Sequence, residues 1–265
     1  LSGGNGASGN LAPTADVDLN STALLARYNL NENISFIGGV TQNVGSGGNV
    51  TTLGGSYDVS GKAEMGYVAG LAYSIPEIAL RAELTYQPKT KFATTTNFSP
   101  SAATAAAGAV ANPNSATTLS LPDTMAINFQ TGIAADTLLT ASYRKTSWGK
   151  SQITISAPVA IETTFKDTAA YSLGIGRKFT DSLSGSIAYA KEPGTGATST
   201  SLFSVSDGSD AISIGLQYKR DSMTLSGGIS QRNVGDMHVT DATAGQMKYS
   251  GNTVTAMGLK MAFAF

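Results

Sequence analysis

The sequence predicts an all-β fold, a transmembrane antiparallel up-and-down β-barrel, on three observations. Alternation of apolar and polar residues with a period of two recurs about eleven times along the 265 residues. Tight turns and long polar stretches alternate between these segments. Charged residues make up only 13% of the chain against 41% hydrophobic, whereas soluble domains carry roughly 25% charge. So little charge implies a surface kept largely out of water, yet no apolar run reaches the roughly 18 residues that a membrane helix needs. A closed barrel is the other way to pair every backbone polar group in lipid.

The segments follow in order. Weaker alternation covers 21–30, 33–43 and 63–75. In Ile78 to Gln87, Leu80, Ala82, Leu84 and Tyr86 oppose Arg81, Glu83, Thr85 and Gln87. In Met125 to Ile133, Met125, Ile127 and Phe129 oppose Ala126, Asn128 and Gln130. Segments 137–150, 168–179 and 183–191 come next. Ala211 to Lys219 is the clearest, with Ile212, Ile214, Leu216 and Tyr218 on one face and Ser213, Gly215, Gln217 and Lys219 on the other. Segments 223–232 and 253–265 close the chain, the last with alternate apolar or aromatic residues from Met257 to Phe265. A soluble sandwich also alternates, but its exposed row is rich in Lys and Glu; here the polar row is mostly Ser, Gly and Thr. All of 1–265 reads as one barrel domain.

Asn31-Glu32-Asn33, Pro76-Glu77, Ala135-Asp136, Thr180-Asp181-Ser182 and Arg220-Asp221-Ser222 carry turn chemistry. Long polar stretches lie near 44–61, 96–117, 152–167, 192–209 and 233–251, the Ala-rich part of Ser101 to Ala111 allowing a short helix. Short turns on one side and long loops on the other describe bacterial outer-membrane barrels, the short side being periplasmic. Tyr28, Tyr67, Tyr73, Tyr86, Tyr143, Tyr171, Phe179, Tyr189, Tyr218, Phe263 and Phe265 stand near strand ends, where aromatic girdles form.

Eleven strands is an odd number, whereas single-chain bacterial barrels have even numbers with both ends periplasmic. With Phe265 periplasmic, Leu1 to Ala15 are expected to be the tail of an external loop, and an odd number of preceding strands to be missing from a processed or partial chain. A miscounted strand is the alternative.

Leu119-Ser120-Leu121-Pro122-Asp123-Thr124, then a strand, a turn, Leu138 to Tyr143 and Lys145-Thr146-Ser147-Trp148, resembles a stretch of the FadL/TodX family of outer-membrane hydrophobic-compound transporters. Phe165-Lys166-Asp167, with Ala169, Tyr171 and Gly176, resembles the strand that follows there, and Gly258 to Phe265 is similar to the family's terminal strand. The resemblance covers about residues 15–265. It implies a fourteen-stranded barrel plugged by an N-terminal hatch, with a lateral opening in its wall. The hatch and first three strands have no counterpart in this sequence, which leaves the eleven counted from alternation.

The resemblance implies passive transport of long-chain fatty acids or other hydrophobic small molecules, by capture at the loops, binding in the lumen and hatch-gated or lateral release. Alternation turns Arg27, Arg81, Glu83, Arg144, Lys219 and Lys260 inward, with Asn128 and Gln130. Arg27, Arg81, Arg144 and Lys219 are candidates for pairing with a ligand carboxylate, the alternative being an ion-pair ladder that tightens the wall. Leu25, Ile37 and Val68 also point inward, suiting an apolar path. Phe98 and Phe203, with Leu202, Val205 and Met237, are candidates for an external capture groove. A general or sugar-selective porin, and a barrel enzyme or adhesin, stay open as other readings.

Chemistry of other kinds finds little support. The chain has no cysteine and one histidine, His238, two residues from Asp236; no metal cluster or second catalytic element accompanies it. No cofactor is expected. The net charge of −1 and pI near 5.8 supply no field for nucleic acid. Expected partners are the hydrophobic ligand, membrane lipids and lipopolysaccharide, in the bacterial outer membrane, with the protein a monomer.

Overall fold

Residues that alternate along a strand present two different faces, and pairing such strands edge to edge sorts the faces into two surfaces. That sorting gives this protein its architecture. The computed structural model describes residues 14–156, 161–201, 203–241 and 245–263; Leu1 to Pro13, Leu202 and Phe265 lie outside the described residues. The strands begin with β1 (Thr14–Asn29), β2 (Ile34–Thr52), β3 (Gly55–Val59), β4 (Lys62–Ile75), β5 (Leu80–Gln87) and β6 (Thr90–Pro100). A short helix α1 (Ala102–Ala106) precedes β7 (Asn112–Leu121), β8 (Thr124–Ala134), β9 (Thr137–Thr146), β10 (Thr154–Ile155) and β11 (Ile161–Glu162). Then come β12 (Thr168–Lys178), β13 (Leu183–Glu192), β14 (Thr198–Ser199), β15 (Ser209–Arg220) and β16 (Met223–Val234). The last are β17 (Met237–Asp241), β18 (Gly245–Tyr249) and β19 (Thr253–Phe263).

Eleven of them form the wall. Its order is β1-β2-β4-β5-β8-β9-β12-β13-β15-β16-β19, antiparallel at every step, and these are the eleven segments read from alternation. β1 and β19 are its edges, and the sheet is not closed among the described residues. No helix is long and apolar enough to cross a membrane, which says nothing of crossing by strands.

The outer surface is apolar in register. Ile175, Ile187, Ile214, Ile229 and Met257 stand opposite one another across five strands, and all are exposed. Tyr28, Tyr67, Tyr73, Tyr86, Tyr171, Phe179, Tyr189, Tyr218 and Phe263 are likewise exposed large side chains, as girdle residues must be. One inner row is mostly small or polar: Ser74, Arg81, Gln130, Thr140, Gly174, Ala188, Ser213, Ser230 and Ala256 are linked pair by pair, from the short turn after β4 to the middle of β19. Exposed apolar outside and small polar inside is the reverse of a soluble sheet.

The tight turns fall where their chemistry placed them. Asp136 and Asp221 adopt positive φ, of 55° and 50°, a conformation that Asp tolerates better than most residues. Asn31 Oδ1 accepts from the backbone N–H groups of Asn33 and Ile34 at 2.9 and 2.8 Å, closing the first turn. The 137–150 segment stops short as a strand: Ser147 turns aside because its N–H and hydroxyl both bond Asp123, at 3.0 and 2.8 Å.

The long polar stretches are more ordered than their composition suggests. β2 outruns β4, and its far end pairs with β3, extending the sheet through β6, β7, β10 and β11. Thr-rich segments favour strands without an apolar row to announce them. α1 forms inside the Ala-rich stretch, with Ser101 as its N-cap. β14, β17 and β18 make a second small sheet.

Candidate ligand-binding site

Where the β6–β7 hairpin and the segment after β9 meet the inner side of β1, β2 and β4, they form a half-open pocket of about 190 Å³. Val17, Leu19, Val59, Phe92, Leu119, Leu121, Trp148, Ile153 and Phe165 supply its apolar lining, with Lys62 and Asp18 beside them. The pocket lies at the long-loop end of the wall, because Val17 and Leu19 belong to the end of β1 away from the Asn31 turn. Trp148 and Phe165 meet edge to face, with 5.8 Å between ring centroids, a favoured arrangement for aromatic pairs. Ser120 and Ser151 also line the pocket; they are buried and their hydroxyls have no partner among the described residues.

Local hydrogen bonds place the two rings. Trp148 lies between two residues held by acids, Ser147 by Asp123 and Gly149 by Asp167, whose Oδ1 accepts from the Gly149 N–H at 2.8 Å. Gln152 joins the two sides. Its Oε1 accepts from the Phe165 N–H at 2.8 Å, and its Nε2 donates to the carbonyls of Phe165 at 2.9 Å and Trp148 at 3.1 Å.

A buried polar seam lies lower on the same wall. Ser21 donates to Asn43 Oδ1 at 2.6 Å, and Asn43 donates to Thr41 at 3.3 Å. Gly66 lets Thr90 of the inward hairpin approach, since a Cβ there would meet Thr41 Oγ1 at 2.7 Å and Thr90 Oγ1 at 2.9 Å. Leu25, opposite Gly39 and hence Val68, and then Ile37 continue down this wall.

Of the charged candidates, the structure brings two together. Arg27 Nη2 lies 3.8 Å from Glu83 Oε2, and Arg81 donates to the same oxygen. One carboxylate between two guanidiniums is the ion-pair ladder, with one positive charge in excess. Arg27 is eight residues from Leu19, so at about 3.3 Å per strand residue the cluster sits roughly 26 Å along β1 from the pocket. Arg144 is exposed near the loop end of β9, and Lys219 is exposed beside the 220–222 turn. Neither joins the cluster. A larger cavity of about 950 Å³ at the short-turn end is lined by Ile78, Gly132, Leu138, Gly176, Gly215 and Gln217 among others.

Phe98 and Phe203 do come together, but inside a small loop core with Val50, Tyr57 and Ile155; Phe98 is 5% exposed and does not line the pocket. Met237 is buried, Val205 is exposed, and Leu202 lies outside the described residues. His238 is taken up in β17, its N–H donating to the Ala197 carbonyl at 2.8 Å. No group of three potential metal ligands occurs among the described residues. Alternation could not point to Phe92, Ile153 or the convergence of Leu119 and Leu121 of β7 with Trp148 and Phe165, because a strand period says nothing of contacts between the β6–β7 hairpin and the segment after β9. Apart from the resemblance that runs through Leu119, Leu121, Trp148 and Phe165, their sequence signal is apolar residues interrupting polar stretches.

Wall, inward hairpin and apolar pocket define the class: an up-and-down barrel sheet carrying an apolar site at the loop end of its inner face. Its fold is that of solved hydrophobic-compound channels. The chain is similar to a Pseudomonas aeruginosa FadL homologue, with TM-score 0.75 and 15% identity over 94% of this chain and 68% of that one. It is similar to the Ralstonia pickettii toluene transporter TbuX, with TM-score 0.63 and 12% identity over 98% and 71%. The Pseudomonas putida toluene transporter TodX gives TM-score 0.61 and 12% identity over 95% and 70%. No protein-family model and no curated protein matches the chain. The FadL/TodX resemblance read from Leu119 to Asp167 thus holds at the level of fold, and five of its residues, Leu119, Ser120, Leu121, Trp148 and Phe165, line the pocket.

Proposed function

We propose that this protein is an outer-membrane channel, and not an enzyme, that passes hydrophobic small molecules from the pocket at the loop end into the lumen. The observation that carries the reading is the pocket itself: nine apolar side chains gathered from six parts of the chain, on a fold shared with toluene transporters. Burial of apolar surface is a sufficient driving force, at roughly 25 cal/mol per Å². Size favours compact ligands. A closed cavity of about 150 Å³ lined by Leu, Ile and Phe holds benzene, so about 190 Å³ has room for one aromatic ring with a short substituent, while a long acyl chain would have to project through the open side. An extended long-chain fatty acid is shorter than the stretch of wall between the pocket and the Arg27–Arg81 cluster, so its tail would leave the pocket before its carboxylate meets the surplus charge there; Arg144, near the loop end, and Lys219, beside a short turn, lie outside that pair. Membrane lipids and lipopolysaccharide contact the apolar outer rows, and the barrel works as a monomeric unit.

Trp148 is the chain's single tryptophan, so its emission reports on the pocket. Titration of the purified protein with toluene is expected to change that emission saturably, and titration with glucose to leave it unchanged. A response to glucose and none to toluene favours the sugar-porin reading instead.

A further inference from the structure

We infer that Gln152 is the positioning residue of the pocket's aromatic wall and sets the size of ligand the pocket admits; this rests on the reading of the pocket as the ligand site. The short ladder of β10 and β11 pairs Thr154 with Glu162, and it extends one step further through the Thr163 N–H to the Ile153 carbonyl at 3.1 Å. There the two backbones part. At the next position the side chain of Gln152 takes over the role of a strand, accepting from the Phe165 N–H at 2.8 Å and donating to the Phe165 carbonyl at 2.9 Å.

The rest of the amide is committed as well. Oε1 also accepts from the Thr163 hydroxyl at 2.8 Å, and Nε2 shares its other hydrogen between the Trp148 and Gly149 carbonyls, both at 3.1 Å. An amide oxygen has two lone pairs and the nitrogen two hydrogens, so the side chain is saturated. Reversing it sets N–H against the Phe165 N–H and oxygen against three carbonyls, which fixes its orientation. The backbones of Trp148 and Phe165 are therefore held on two sides of one amide group, whose position is set by the length of the Gln152 side chain. The Thr163 hydroxyl, 1% exposed as a residue and accepting from the Ile153 N–H at 2.9 Å, holds the amide from behind.

The test compares wild type with Gln152→Met, which keeps length and removes every bond, and Gln152→Asn, which keeps the amide and shortens the reach by one methylene. Ligand-free Trp148 emission is recorded first, then titrations with toluene and with naphthalene. Both variants are expected to shift the emission maximum, and to change the toluene-to-naphthalene affinity ratio by about tenfold, the size of effect that a lost hydrogen-bond set produces. General loosening of the loop weakens both ligands equally and leaves the ratio alone. A ratio within about twofold of wild type in both variants overturns the inference. If wild type itself gives no response to toluene or naphthalene, the pocket reading fails. Ligand-free emission then decides the role of Gln152: a shift supports it, and unchanged spectra overturn it.

Discussion

Trp148 and Phe165 stand edge to face with their ring centroids 5.8 Å apart, although the whole segment carrying β10 and β11 separates them in the chain. Aromatic pairs of this geometry contribute roughly 0.5–1.5 kcal/mol beyond their buried area, and this one forms part of a pocket wall. Phe165→Ala removes the partner ring and opens that wall. Toluene affinity, read from Trp148 emission, is expected to fall by about tenfold or more, while Phe98→Ala, in the separate loop core, leaves it within about twofold.

The Arg27–Glu83–Arg81 cluster makes a different prediction, because it concerns charge and not packing. Glu83→Gln leaves two guanidiniums without their shared carboxylate. Stability is expected to drop by about 1 kcal/mol, as for partly exposed ion pairs. Reversal potentials across a planar bilayer are expected to move toward anion selectivity. Arg81→Ala alone, which leaves Arg27 and Glu83 as a neutral pair, is expected to move them from the wild-type value in the opposite direction.

Opposite faces of one strand should answer differently to the same charge. Ile214 lies in the apolar row Ile175, Ile187, Ile214, Ile229 and Met257, and its neighbour Ser213 points to the other face, where its hydroxyl donates to Ser230 at 2.9 Å. Ile214→Arg is expected to cost ~2–4 kcal/mol in lipid vesicles, the range for a lipid-facing arginine at the midplane. Ser213→Arg is expected to cost less than half of that. Denaturant unfolding of each variant in the same vesicles checks both values.

Acid should loosen one loop before it touches the wall. Burial pushes the Asp207 carboxyl up, but the N–H groups of Thr195, Gly196 and Ala197 at 2.6, 2.9 and 2.5 Å, with the Thr195 hydroxyl at 2.9 Å, outweigh it and hold the carboxyl below its ordinary range. A folded value below the unfolded one gives stability that is complete above the ordinary carboxylate range and is lost as pH falls through the folded value. Acid-active protease is therefore expected to cut near Thr195 to Ala197 faster as pH drops below about 4. Asp207→Asn is expected to be cut fast at every pH, with no such dependence.

Much of the wall was legible in the sequence, because lipid on one side and a lumen on the other force a period of two that Ile212 to Lys219 display without exception. The turn chemistry of Asp136 and Asp221 was equally local. β6 and β7 were hidden since threonines such as Thr94 to Thr96 and Thr117 to Thr118 favour strands yet mark no apolar face. The site was legible only in fragments. Leu119, Trp148 and Phe165 stood out as pieces of a resemblance, but the meeting of the two rings depends on Gln152 bridging the two sides of one connection, a contact no spacing rule encodes. Alternation put Arg27, Arg81 and Glu83 on one face, and two-residue spacing made a pair of Arg81 with Glu83 legible, whereas nothing along the strand told that Arg27 would share the same carboxylate.

Uptake of labelled toluene by cells whose outer membrane carries the full-length protein tests the central claim most directly. Expression is expected to raise the initial rate of toluene uptake over cells lacking the protein, and Leu119→Asp, which puts a charge in the pocket, to return it to the background at equal protein levels. Toluene uptake unchanged by expression, or equal for wild type and Leu119→Asp, would contradict passage through this pocket.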